Sequence, residues 1–242
     1  MRCTALILVA ITAGVGLSVS MAPAVLANDS STAPKFNSRL AAYIHDRVSE
    51  FDQIPDGRKD DLKKIAAYVR EQLDAGQKAK LVFICTHNSR RSHLSQIWAS
   101  DAAAYYRLSG VECFSGGTEG TAFNPRAIAA LERAGMKIDK SSDDKNPRYL
   151  VESVEGASPL VCFSKKYSDA TNPKSAFCAV MTCAEADKSC PTIDGAALRI
   201  PLHFEDPKVA DGTPQEAARY DERCAQICRE MLYAFSQVRP TR

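Results

Sequence analysis

The sequence predicts an α/β protein: a four-stranded parallel sheet with helices on both faces, preceded by an N-terminal helical extension. Three observations carry this reading. Short apolar runs of strand length occur at 81–84, 111–114, 177–182 and 198–202, with helical periodicities between or after them. Such alternation sets strands in parallel and packs the crossover helices on the sheet. Upstream of the first run, two helical periodicities follow each other with no strand between them. Finally, 242 residues that are 45% hydrophobic and 25% charged can bury a sizeable core, unlike a disordered chain.

Composition also excludes whole classes. The balance of 31 basic against 29 acidic residues leaves a net charge of +2, with no Lys/Arg block. That is no field for gripping a nucleic-acid backbone. Nothing in the pattern fits a multi-span membrane protein. Nine cysteines in 242 residues are too few to replace a core with a disulfide framework.

Residues 1–27 read as a signal peptide. Arg2 is the only charge, an apolar stretch runs from Ala5 to Val19, and Pro23 breaks it ahead of Val25-Leu26-Ala27. An uncleaved anchor is the alternative, but the Ser, Thr and Gly content makes a poor membrane span. The expectation is an exported, periplasmic protein beginning at Asn28, with no membrane attachment after cleavage. Residues 28–79 then form the helical extension and 80–242 the catalytic domain.

The elements follow in order. Residues 28–37 are a polar lead-in. Leu40, Tyr43, Ile44, Val48 and Phe51 repeat at helical spacing, with Ser38 as a candidate cap. After the turn Ile54-Pro55-Asp56-Gly57, a second helix is marked by Leu62, Ile65, Ala66, Val69 and Leu73, with Gly76 as its stop. The simplest use of this pair is a helical hairpin packed on the body. The strand at 81–84 leads into an amphipathic helix from Arg91 through Trp98. Asn124-Pro125 opens another helix, which Gly135 closes. Residues 140–174 read as a long insertion. Thr213-Pro214-Gln215-Glu216 has the form of a capping box and starts a last helix running to about Val238.

One segment carries chemistry: Cys85-Thr86-His87-Asn88-Ser89-Arg90-Arg91-Ser92. Cys-x5-Arg alone is a weak signal. Here it falls at a strand-to-helix junction, where α/β sheets place ligand sites. A helix N-terminus leaves backbone N–H groups unpaired and carries partial positive charge. A loop wrapped over it aims several donors at one point, a cradle for a tetrahedral oxyanion. Arg91 can add a planar two-pronged clamp. The same field favours Cys85 as a thiolate, and Ser92 is placed to hydrogen-bond it. Asn88 tolerates the left-handed backbone that a tight cradle requires.

This segment resembles the phosphate loop of the low-molecular-weight protein tyrosine phosphatase superfamily, which includes thioredoxin-coupled arsenate reductases. The resemblance runs from about Leu81 to the last helix and includes Ser115-Gly116-Gly117-Thr118 and Asn124-Pro125-Arg126-Ala127. It implies that Cys85 is the nucleophile, with Arg91 and Ser92 also catalytic. Thr86, His87, Asn88, Ser89, Arg90 and Arg91 would bind the oxyanion. Glu205-Asp206-Pro207 is similar to the family's acid loop, which assigns Asp206 as the proton donor to the leaving oxygen. His87 stands where many members have Gly, and Arg90 where Cys is frequent. Gln96 replaces the Glu of potassium-binding reductases, so no metal or other cofactor is expected.

Two activities share the first step, attack of Cys85 on the central atom of a bound oxyanion. A phosphatase then lets water hydrolyse the adduct. An arsenate reductase passes the oxidising equivalents to two further thiols and then to a thiol–disulfide reductant such as a thioredoxin-like protein. Cys183-Ala-Glu-Ala-Asp-Lys-Ser-Cys190-Pro191 is similar to the redox segment of those reductases. It favours thiol-linked arsenate reduction, with phosphate-monoester hydrolysis as the alternative. Export favours the phosphatase, which needs no reductant per turnover. Cys183 and Cys190 could instead form a static disulfide, help bind zinc, or be plain buried thiols. A non-catalytic oxyanion-binding module is a third possibility, but it would need only the cradle and Arg91. Cys224 and Cys228 lie one helical turn apart and read as a packing face. Cys113, Cys162 and Cys178 read as core.

Overall fold

The computed structural model describes residues 34–239; the segment at 1–27, read from the sequence as a signal peptide, lies outside the described residues. The central sheet holds β1 (Ala79–Cys85), β2 (Val111–Gly117), β6 (Phe177–Met181) and β7 (Ala196–Pro201). Their order is β2-β1-β6-β7 and every pairing is parallel. The chain leaves β1 toward one edge of the sheet and later returns to its other side at β6. The switch point therefore lies between β1 and β6, where such sheets open a crevice at their carboxyl ends.

Alternation along β1 sorts its side chains. Leu81 and Phe83 join one large apolar core, whereas Val82, Ile84 and Cys85 join a smaller one on the opposite face. The faces are unequally covered. The large core is built with α1 (Ser38–Ser49), α2 (Asp56–Asp74), α3 (Arg91–Tyr105), α4 (Pro125–Ala134) and α6 (Glu216–Ser236). The small face carries only the short α5 (Ala184–Ser189), with Tyr167 and Ile193 from loops.

The upstream helices form as expected, but not as a hairpin. A 3-10 turn at Phe51–Gln53 separates α1 from α2, and each helix packs chiefly on α6. Leu40 and Ile44 of α1, and Leu62, Ile65 and Val69 of α2, supply the buried stripes. Asn37, not Ser38, caps α1: its side-chain oxygen accepts from the Leu40 N–H at 3.0 Å. Asn124 caps α4 through the Arg126 N–H at 2.9 Å, and Gly135 ends it at φ +114°.

Two further expectations need correction, and the long insertion takes a defined structure. Helix α3 runs past Trp98 to Tyr105 and is buried nearly all round, because it is wedged between the sheet and α6. The last helix begins at Glu216, three residues after the anticipated cap. Thr213 Oγ1 accepts from the Gln215 N–H, and the Glu216 carboxylate reaches back to the Gly212 N–H, one residue short of a capping box. The insertion is not loop throughout. With residues before it, it forms a small antiparallel sheet of β3 (Lys137–Lys140), β4 (Tyr149–Glu152) and β5 (Leu160–Cys162).

Candidate active site

Strand β1 delivers Cys85 to the carboxyl end of the sheet and α3 starts at Arg91, so residues 86–90 form the connecting loop. The loop closes tightly at Asn88, whose φ is +44°. Its carbonyls are bonded outward. Cys85 O accepts from the Thr118 N–H and Thr86 O from the Glu119 N–H. His87 O accepts from the hydroxyls of Thr121 and Ser164, and Ser89 O from the Asn124 N–H. The N–H groups of His87, Asn88, Ser89 and Arg90 have no partner among the described residues. A loop with its carbonyls committed and its donors free is an anion cradle.

A side-chain relay orients Cys85. The Lys165 N–H donates to Asn88 Oδ1 at 2.9 Å, and Asn88 Nδ2 donates to Ser92 Oγ at 2.8 Å. Ser92 Oγ lies 3.1 Å from Cys85 Sγ. When Cys85 is a thiolate it has no proton to give, so the Ser92 hydroxyl is the donor of that contact. Cys85, Asn88 and Ser92 are all buried, so this geometry is insulated from water.

Asp206 is brought opposite. Its Oδ2 lies 2.9 Å from Arg91 NH2 and its Oδ1 2.8 Å from Arg90 Nε, while the Lys208 N–H donates to it at 3.1 Å. Burial by itself would raise its affinity for a proton. Arg91, Arg90 and the Lys208 N–H outweigh that and hold the carboxyl below the usual carboxylate range. Arg91 also donates to Phe204 O at 3.0 Å. Arg91 is thus held against the loop that bears Asp206.

The second pair of thiols sits next door. Because β6 is hydrogen-bonded to β1, Cys183 emerges beside Cys85, and the Thr182 N–H donates to Ile84 O at 2.7 Å. Thr86 Oγ1, one residue from the nucleophile, lies 3.4 Å from Cys183 Sγ. Cys183 is buried at the N-cap of α5, its sulfur accepting from the Ala186 N–H, and Cys190 follows that helix half-buried. Both pack with Cys85 in the small core. All eight described cysteines are free thiols, so the described residues hold no Cys183–Cys190 bridge. Burial pushes Cys113, Cys162, Cys178 and Cys224 up to about 12, and Cys228 well above the ordinary thiol value. Those five are inert packing.

The remaining candidates lie on the rim or support the loop. The His87 side chain is exposed, with Nε2 3.9 Å from Glu119. Ser89 Oγ donates to Ala122 O. Gln96 Nε2 donates to Cys113 O. Among the described residues no group of three His, Cys, Asp or Glu could hold a metal ion.

Sequence reasoning missed Ser164, Lys165 and Gly117. The first two come from the insertion and bind the loop across 77 positions, a contact with no local signature. Gly117 had one in the Gly116-Gly117 pair: a Cβ there would sit 2.7 Å from both Asn88 N and Thr86 O.

The chain is similar to several known proteins. The family model described as low molecular weight phosphotyrosine protein phosphatase matches residues 80–152. Arsenate reductase 2 of Staphylococcus epidermidis is 30% identical over 132 residues, covering 54% of this chain and 79% of the relative. The arsenate reductase of Bacillus licheniformis is 25% identical over 162 residues, covering 66% and 96%. A solved low molecular weight phosphotyrosine phosphatase from Vibrio cholerae O395 aligns with a TM-score of 0.41 at 17% identity, covering 64% of this chain and 93% of its own.

Proposed function

The chain is an enzyme of the low-molecular-weight protein tyrosine phosphatase superfamily, and from that premise we propose that it reduces arsenate to arsenite through a three-thiol relay. The observation that carries this reading is the placement of Cys183 at the strand end next to Cys85, with Cys190 beyond a short helix in the same core. A phosphatase has no use for either thiol. The relatives whose names are arsenate reductase support the same reading.

The steps follow from the side chains. The cradle N–H groups and Arg91 hold the oxyanion, and Cys85 Sγ, steadied by the Ser92 hydroxyl, attacks arsenic. Asp206 gives a proton to the departing oxygen, which leaves as water. Asp206 is ion-paired with Arg91 and Arg90. An oxyanion that takes Arg91 removes one of its counter-charges and adds negative charge beside it, and both changes raise its affinity for a proton. Cys183 then attacks Cys85 Sγ. The electron pair of the sulfur–arsenic bond stays on arsenic, which leaves as arsenite. Cys190 attacks Cys183, forming the Cys183–Cys190 disulfide and expelling Cys85 as thiolate. A thioredoxin-like dithiol in the compartment where the protein resides closes the cycle. An exported protein would draw on a periplasmic one.

Phosphate-monoester hydrolysis is the second reading, favoured by the match of the cradle-bearing segment at 80–152 to the phosphatase family model. Assays of the mature protein with arsenate plus a dithiol, and with an aryl phosphate, separate the two. Cys85→Ser is expected to lose both activities. Cys183→Ser and Cys190→Ser are each expected to lose arsenate turnover by at least about a hundredfold while retaining ester hydrolysis. Undiminished arsenate reduction in both variants would overturn the reductase reading.

A further inference from the structure

Cys183 and Cys190 flank α5 as its N-cap and C-cap. At a helical rise of about 1.5 Å per residue, seven steps hold their Cα atoms roughly 10 Å apart. A disulfide needs Cα atoms within about 7 Å, so the segment must unwind before the bond can form. A six-residue helix has little stability of its own, so contacts outside it decide whether it stays wound. Ala186 is its only buried residue.

Thr86 Oγ1 lies 3.4 Å from Glu185 Oε2, and the shorter contacts gather on Asp187. Its Oδ1 pairs with Arg199 NH2 at 2.5 Å, and its Oδ2 lies 3.0 Å from His203 Nε2. Arg199 NH2 also donates to Asp187 O at 2.7 Å and to Cys190 O at 3.1 Å. Arg199 belongs to β7, in the rigid sheet, and His203 lies just beyond that strand. One guanidinium therefore grips the carboxylate at mid-segment and the carbonyl of the resolving cysteine. The pair is partly buried, with Asp187 20% and Arg199 26% exposed, so water screens it less than a surface bridge.

We propose that Arg199 and His203 form a latch on Asp187 that keeps the Cys183–Cys190 segment wound and its thiols apart until disulfide exchange. The proposal rests on the reductase reading and makes Arg199 a positioning residue: it touches no reacting atom. Releasing the latch lowers the cost of unwinding, so Cys183 and Cys190 should oxidise more readily. With oxidised glutathione as the oxidant, both thiols lose their protons, one S–S bond forms, and two molecules of reduced glutathione are released.

The test equilibrates the full mature chain in glutathione buffers of graded ratio and follows the Cys183–Cys190 bridge by peptide mass mapping. Arg199→Gln should form the bridge about tenfold faster than the parent, at about a tenfold lower ratio of oxidised to reduced glutathione. Arg199→Lys keeps the charge without the planar fork and should fall between the two. His203→Gln removes one contact and should move both quantities the same way by about threefold, which keeps the test sound if Arg199→Gln folds poorly. A bridge forming with parental rate and midpoint in Arg199→Gln and His203→Gln would overturn the latch and leave the relay standing. No bridge in any protein, parent included, under excess oxidised glutathione would overturn the reductase reading and the latch with it.

Discussion

Arg90 adds to the positive charge that Arg91 sets against Asp206. It stands where Cys is frequent in the family, and it places a second guanidinium on Asp206 beside that of Arg91. Both lower the affinity of that carboxyl for a proton. A general acid works only while protonated, so its rate falls as pH rises through its pKa. Removing Arg90 raises that pKa, and the decline should move to higher pH. Arg90→Ser is therefore expected to carry the acid-dependent limb of kcat upward by about half a unit or more, with a weaker KM for the oxyanion. A pH–rate profile superimposable on the parent's would show that Arg90 does not act through Asp206. At this scale Cys85, Arg91, Ser92 and Asn88 were legible because one short motif holds them all. Lys165 was not: its N–H fixes Asn88, but the two lie 77 positions apart.

The unit of function at the next scale is the β1–loop–α3 element, and its shape depends on a neighbouring strand. Gly117 ends β2 directly opposite Cys85 in the parallel register. A side chain there would press on Asn88 N and Thr86 O, and backbone cannot swing aside as a flexible side chain can. Gly117→Ala is expected to weaken oxyanion binding at least about tenfold in KM, because the cradle N–H groups lose their convergence. Phosphate titration followed by amide NMR shifts of residues 86–92 checks it, and unchanged affinity would reject the argument. Strands and helices were anticipated where periodicity was strong. Boundaries were missed where tertiary contacts extend an element, as α3 runs on to Tyr105 beneath α6, or where a near neighbour of the anticipated residue takes the cap, as Asn37 does for Ser38.

Over the whole molecule, the large core runs unbroken from the upstream helices into the sheet. Leu40, Ile44, Leu62 and Ile65 share it with Phe83, Leu94 and Ile227, and Tyr43 of α1 stacks on Trp98 of α3 with ring centroids 5.5 Å apart. The extension is thus part of what holds α3, and with it the cradle, in place. Leu62 is fully buried, so Leu62→Ala should cost about 2–5 kcal/mol and lower Tm by roughly 5–15 °C. Trp98 is the only tryptophan in the chain, so its fluorescence reports the α1–α3 contact. It should melt together with the far-UV circular dichroism signal. An earlier, separate loss of fluorescence would mean that the extension unfolds independently of the sheet.

Local chemistry was written in the chain: the short apolar runs and helical apolar patterns, the Gly and Pro punctuation, and one strand–loop–helix segment with a cysteine and an arginine at fixed spacing. These depend on contacts between near neighbours, which residue order states directly. Strand adjacency, by contrast, is a property of the folded sheet. Only the order β2-β1-β6-β7 brings Cys183 beside Cys85, sets Asp206 against both arginines, and lays Arg199 across the Cys183–Cys190 segment. Such pairings join residues scores of positions apart, and packing of the whole core selects them.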